Sequence, residues 1–113
     1  GLLSESVVNK TGSMTLALSA EYHGVPLYVA ASSYKCFPFV LIQRENPDEV
    51  WQNAPPGVAV ENVYFETVPA DLITGFVTEH GVQDEIPSFE GRIADEIIQI
   101  RGELAERYRL AAE

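Results

Sequence analysis

Gly24-Val25-Pro26-Leu27-Tyr28-Val29-Ala30-Ala31 is the stretch on which the fold turns. Upstream of it, residues 13–23 place Met14, Leu16, Ala17, Leu18 and Ala20 at helical spacing, with Ser13 as the expected N-cap and Gly24 as the expected C′ residue. Pro26 then ends the helix and feeds an apolar run, 27–31, that lacks in/out alternation. Such a run is expected of a parallel strand covered on both faces. Helix, Gly-x-Pro and buried strand make up half of a doubly wound α/β unit.

Working outward, the apolar pair Val7-Val8 reads as a strand just before the first helix. Residues 37–57 are turn-rich, punctuated by Pro38, Asn46-Pro47 and Pro55-Pro56-Gly57, with one short extended piece expected at Phe39–Ile42. Residues 58–65 look strand-like, Pro69-Ala70-Asp71-Leu72 reads as a helical turn, and Ile73–Thr78 reads as a strand closed by Gly81. Ser88 is the expected N-cap of a long helix reaching about residue 110. Its Phe89, Ile93, Ile97, Ile100, Leu104 and Tyr108 form one stripe, read as the face packed on the sheet. The expected architecture is half of a Rossmann-like three-layer α/β domain, with a mainly parallel sheet and a long C-terminal helix. Residues 1–113 are taken as one such domain fragment of a longer protein, since the chain starts at Gly1 without an initiator methionine.

The chain has 113 residues and a formal net charge of −10, from seventeen Asp and Glu against seven Lys and Arg. That balance argues against direct nucleic-acid binding, because no basic stripe exists to release counterions. No apolar run approaches the roughly 20 residues that cross a membrane. A single cysteine, Cys36, allows no internal disulfide and fits a reducing cytoplasm. Cys36 is read as structural, and neither His23 nor His80 has the second histidine a metal site would want.

Only two lysines occur, Lys10 and Lys35, and each follows a strand-like run. In an open parallel sheet, ligands bind beyond the carboxyl ends of the strands. Asn9-Lys10-Thr11-Gly12 joins the first strand to the first helix, whose start offers unpaired N–H groups and a partial positive charge. Ser32, Ser33 and Lys35 follow the next strand and can converge on the same crevice, which points to a phosphate or other acidic ligand. Two solvated surface lysines would satisfy the same spacing, and few lysines is also a habit of acidic proteomes.

Several blocks carry a family likeness: Val7-Val8-Asn9-Lys10-Thr11-Gly12, Ala17-Leu18-Ser19-Ala20, Gly24 to Ala31, and Ser33-Tyr34-Lys35. It resumes at Val63-Tyr64-Phe65-Glu66-Thr67-Val68-Pro69, Asp71-Leu72-Ile73-Thr74 and Val77-Thr78-Glu79-His80-Gly81-Val82. In these blocks the chain resembles the superfamily of the alpha, beta and delta subunits of eukaryotic initiation factor 2B. The same superfamily holds the isomerases of methylthioribose 1-phosphate and ribose 1,5-bisphosphate. The likeness covers residues 6–36 and 61–83.

The resemblance implies a helical part followed by a Rossmann-like domain, of which this chain is the second half. It implies substrate binding by Asn9 and Lys10, and by Lys35 in the ribose-bisphosphate branch. It places the catalytic cysteine and aspartate upstream of Gly1, so no catalytic residue is assigned here, and no cofactor or metal is implied. Ala31-Ser32-Ser33-Tyr34-Lys35 departs from the Ala-Pro-Leu-Ser-Thr typical of methylthioribose-phosphate isomerases. The expected function is therefore sugar-phosphate binding in an aldose–ketose isomerase of the ribose 1,5-bisphosphate type, favoured because all three ligand positions are filled. The alternatives are an initiation-factor-2B-type regulatory subunit, acting on nucleotide exchange by initiation factor 2, and a methylthioribose 1-phosphate isomerase. Expected partners are a phosphorylated sugar or nucleotide and a second copy or related subunits, in dimers or larger assemblies in the cytoplasm. Val63–Val68, Ile73–Val77 and the stripe from Phe89 to Tyr108 are the surfaces expected to associate.

Overall fold

A computed structural model describes residues 1–87 and 94–108. It is a mixed α/β arrangement. Strand β1 (Ser6–Lys10) leads into helix α1 (Ser13–Tyr22) and then strand β2 (Tyr28–Ala30). After a long irregular segment come β3 (Phe65–Pro69), β4 (Gly75–Thr78), β5 (Gly81–Gln83) and helix α2 (Ala94–Tyr108). Single 3-10 turns occupy Ser33–Lys35, Pro47–Glu49 and Ala70–Leu72.

Helix α1 ends as the sequence dictates. Gly24 has φ 64, its N–H donates to Glu21 O, and Val25 N–H donates to Ala20 O, the paired bonds of a Schellman motif. Its start differs from expectation. The N-cap is Gly12 at φ 107, a left-handed backbone that glycine takes without strain, and Ser13 is the first helical residue.

The strands form two small sheets, β1–β3 and β2–β4–β5, and the pairing is not mainly parallel. Of the pairings among the described strands, β2–β4 is parallel, whereas β1–β3 and β4–β5 are antiparallel. Strands β4 and β5 are joined by a tight turn with no crossover, which forces them antiparallel. Strand β3 starts at Phe65 and not at Val58. Upstream of it, Val63 makes only an isolated bridge to Arg44, so Phe39–Ile42 and residues 58–62 carry no strand.

The core gathers Leu2, Val7, Ala17, Cys36, Val68, Ile73 and Phe76, with Phe76 only 1% exposed. Val68, Ile73 and Phe76, expected at an association surface, are thus interior; Phe65 and Val77 are exposed. Helix α1 buries only Ala17, and Leu16 and Leu18 are 60% and 50% exposed. In the C-terminal stripe Ile100 is 48% exposed, so that position does not pack on the sheet. Ser88, Phe89 and Ile93 of the expected helix lie outside the described residues.

Candidate functional site

The N-terminal residues stitch the two strand ends together. Gly1 N donates to Val8 O at 2.8 Å, and Gly1 O accepts Val8 N–H at 2.8 Å. Leu2 N–H donates to Lys35 O at 2.8 Å and Leu2 O accepts Phe37 N–H at 2.9 Å. Residues 1–3 thus lie between β1 and the segment after β2. Two strand spacings, about 9–10 Å, separate the backbone of β1 from that of Lys35.

Beside this seam is a cavity of about 590 Å³, lined by Asn9, Ser13, Leu16, Tyr28, Lys35 and Phe65 among others. Asn9 and Lys35, predicted together, do share it. Lys10 is not in its lining. Side chains alternate along a strand, so Lys10 leaves β1 on the face opposite Asn9. Its ammonium lies 4.3 Å from the centre of the Tyr64 ring.

Each polar group near the cavity has a defined role. Asn9 Nδ2 donates to Ser13 Oγ at 2.9 Å, and that hydroxyl donates to Lys10 O at 2.7 Å. Ser13 therefore braces the Asn9-Lys10 strand end, where the sequence pointed to a helix cap. The capping group is Glu66, from β3, where it stands opposite Asn9 in register. Its Oε1 accepts the N–H of Gly12 at 2.6 Å and of Met14 at 2.9 Å. A carboxylate there satisfies orphan donors and suits the positive end of the helix dipole. The helix start expected to receive an external anion is filled by the protein's own.

The turn carrying Lys35 has an equivalent brace. Glu79 accepts Ser33 N–H at 2.9 Å and bonds the Ser33 hydroxyl, while His80 Nε2 lies 3.5 Å from its Oε1. The bonds from Ser33 hold the Glu79 carboxyl down at about 2. Cys36, next in sequence, is buried, and burial with the nearby Glu79 charge pushes its thiol up. A buried, protonated thiol is a poor nucleophile, in keeping with a structural Cys36.

Beneath Lys10 is a third polar group. The Tyr64 hydroxyl donates to Glu49 Oε2, which also accepts Asn62 Nδ2 at 2.9 Å. Asn62 is buried and gives a second bond to Asn46 O at 2.8 Å. The Tyr64 and Asn62 bonds lower the Glu49 pKa, and the same bond to Glu49 raises that of Tyr64. Backbone bonds close the unit, since Thr11 N–H donates to Tyr64 O at 3.0 Å and Thr11 Oγ1 to Val63 O at 2.6 Å. Glu49, Tyr64, Glu66 and Glu79 were not singled out from the sequence. For Glu66 the available signal was a lone acid inside an otherwise uncharged strand, Phe65–Pro69.

Fold and site define a mixed α/β class in which two strand ends and a helix start meet beside one cavity. The chain belongs to the Initiation factor 2 subunit family, whose model matches residues 2–85. It is similar to the methylthioribose-1-phosphate isomerase of Carboxydothermus hydrogenoformans, 41% identical over 88 residues, which is 67% of this chain and 25% of the relative. Among solved structures it is similar to translation initiation factor eIF-2B, subunit delta, from A. fulgidus. That match has a TM-score of 0.64 and 31% identity, covering 72% of this chain and 27% of the other. The 5-methylthioribose 1-phosphate isomerase of Pyrococcus horikoshii matches with a TM-score of 0.63 over 91% of this chain and 30% of its own. At 23% identity, that likeness shows the fold. The chain spans about a quarter of the length of the curated relatives it matches. Among the described residues no helix is long and apolar enough to cross a membrane.

Proposed function

We propose that the intact protein is a cytoplasmic aldose–ketose isomerase of a pentose 1-phosphate, in which Asn9 and Lys35 hold the phosphorylated sugar from the cavity and Lys10 adds charge from outside its lining. The observation that carries this reading is that Asn9 and Lys35, from consecutive strand ends, line one cavity large enough for such a ligand. The relatives at 39–41% identity, all named methylthioribose-1-phosphate isomerases, support the reaction class. In this reading the strands described here are the second half of a Rossmann-like sheet completed by the rest of the polypeptide, and the intact protein is at least a dimer. The chain's own contribution is binding. Asn9 orients a sugar hydroxyl or phosphate oxygen, and the two ammonium groups neutralise phosphate charge.

Lys35 bears on the substrate. A cation in the cavity lining, in addition to Lys10 outside it, suits a second phosphate and so favours ribose 1,5-bisphosphate, while the names of the relatives favour methylthioribose 1-phosphate. Turnover of each compound by the intact protein decides between them. Substituting Lys10→Ala should weaken sugar-phosphate affinity roughly tenfold or more, the value of a charge-assisted contact. Unchanged affinity would overturn the site. A second reading, a regulatory subunit of the initiation factor 2B type, is supported by the likeness to the A. fulgidus delta subunit. It predicts that the intact protein isomerises neither sugar and changes nucleotide exchange on initiation factor 2.

A further inference from the structure

We propose that Tyr64 is a positioning residue for Lys10 that works in two ways: its ring seats the ammonium, and its hydroxyl keeps the Glu49 carboxylate from pairing with it. The inference rests on the reading of Lys10 as a phosphate-binding residue. Lys10 is exposed at the end of β1, on a flexible stem whose freedom must be given up when a ligand binds. The Tyr64 ring, 4.3 Å beneath the ammonium, restrains it without a countercharge. A neutral seat leaves the full positive charge available to a phosphate.

A carboxylate is close by, and it would do the opposite. Glu49 is near enough that the Lys10 charge contributes to its lowered pKa, yet among the described residues the two form no salt bridge. Glu49 is engaged elsewhere: Oε2 takes both the Tyr64 hydroxyl and Asn62 Nδ2. Asn62 is anchored in turn on Asn46 O, so the 3-10 turn Pro47–Glu49 is fixed against the ligand loop. The arrangement separates a cation from an anion that would otherwise compete with the ligand for it.

The test follows from the sign of this effect. In the intact protein, titrated with inorganic phosphate by calorimetry, Tyr64→Phe keeps the ring and leaves Glu49 held by Asn62 alone, freer to turn toward Lys10. Phosphate affinity should fall by about two- to fivefold, the value of an exposed ion pair. Adding Glu49→Gln to that variant should restore affinity to within about twofold of the parent, and Glu49→Gln alone should bind phosphate at least as tightly. A purely structural role for the pair predicts the reverse, with the double variant weakest. If Tyr64→Phe binds as the parent does, or if Glu49→Gln alone binds more weakly or fails to restore the double variant, the inference is wrong while the site stands. If Lys10→Ala leaves phosphate affinity unchanged, or the parent binds no phosphate, the site reading itself falls and the inference with it.

Discussion

The turns that carry the two lysines are built alike and behave differently. At the end of β1, Lys10 precedes a ten-residue helix whose first N–H groups are held by Glu66; after β2, Lys35 closes a three-residue 3-10 turn held by Glu79. Both braces are carboxylates from more than forty residues downstream. The side chains themselves diverge. Lys10 rests on Tyr64, whereas Lys35 has no ion pair or aromatic seat among the described residues and faces the cavity beside Asn9. One cation is held in place before any ligand arrives, and the other is left to adjust.

The comparison can be broken most forcefully at Glu66. Glu66→Ala strips the cap from Gly12 and Met14 and should cost about 1–2 kcal/mol of stability. Chemical denaturation of the intact protein would read this, and a loss near zero would mean that water serves those donors equally well. Gly12→Ala probes the same turn through its backbone. An added Cβ meets nothing within 4 Å, so any loss comes from φ 107 alone, at about 1 kcal/mol or slightly more. A neutral result would show that the turn relaxes, removing the rigidity ascribed to the Lys10 side.

The smallest effect belongs to Glu79, and it is one of pH. Its folded pKa, about 2, lies below the ordinary 4.5, so its stabilising contribution is complete above 4.5 and is lost as pH falls from there toward 2. In Glu79→Gln the melting temperature should depend less steeply on pH across that window. An unchanged slope would show that Ser33 does not hold the carboxylate in solution.

The local elements of the fold were legible from short-range pattern. Gly24 after an apolar helix is sufficient to place the Schellman end, because the left-handed residue and the bonds to Ala20 and Glu21 are local. Likewise Ile73–Thr78 contains β4, and Ala70–Leu72 forms the expected turn. What could not be read is what depends on distant partners. The antiparallel register of β1 on β3 joins residues 55 to 63 positions apart, from Lys10 with Phe65 to Ser6 with Pro69, and no period in Val58–Val63 reveals that pairing begins only at Phe65. Ser13 resembles a cap in isolation and loses that role to a carboxylate 54 residues beyond Gly12. The pair Asn9-Lys10 was legible as polar residues at a strand end. That the second of them would turn to an aromatic ring followed from Tyr64, which the sequence presents as one more apolar position.

The long reach of Glu66 also has a consequence for synthesis. An isolated ten-residue helix is marginal in water. As the chain leaves the ribosome, α1 is complete well before its cap exists. At roughly 5–20 residues per second, the 54 residues from Gly12 to Glu66 take on the order of 3–11 s to make. During that interval the helix start must be hydrated, or borrow another anion, and closing so long a loop carries its own entropy. The segment bearing Asn9 and Lys10 thus acquires its final shape only when β3 docks, so the cavity cannot be complete until the ribosome has passed Ile73.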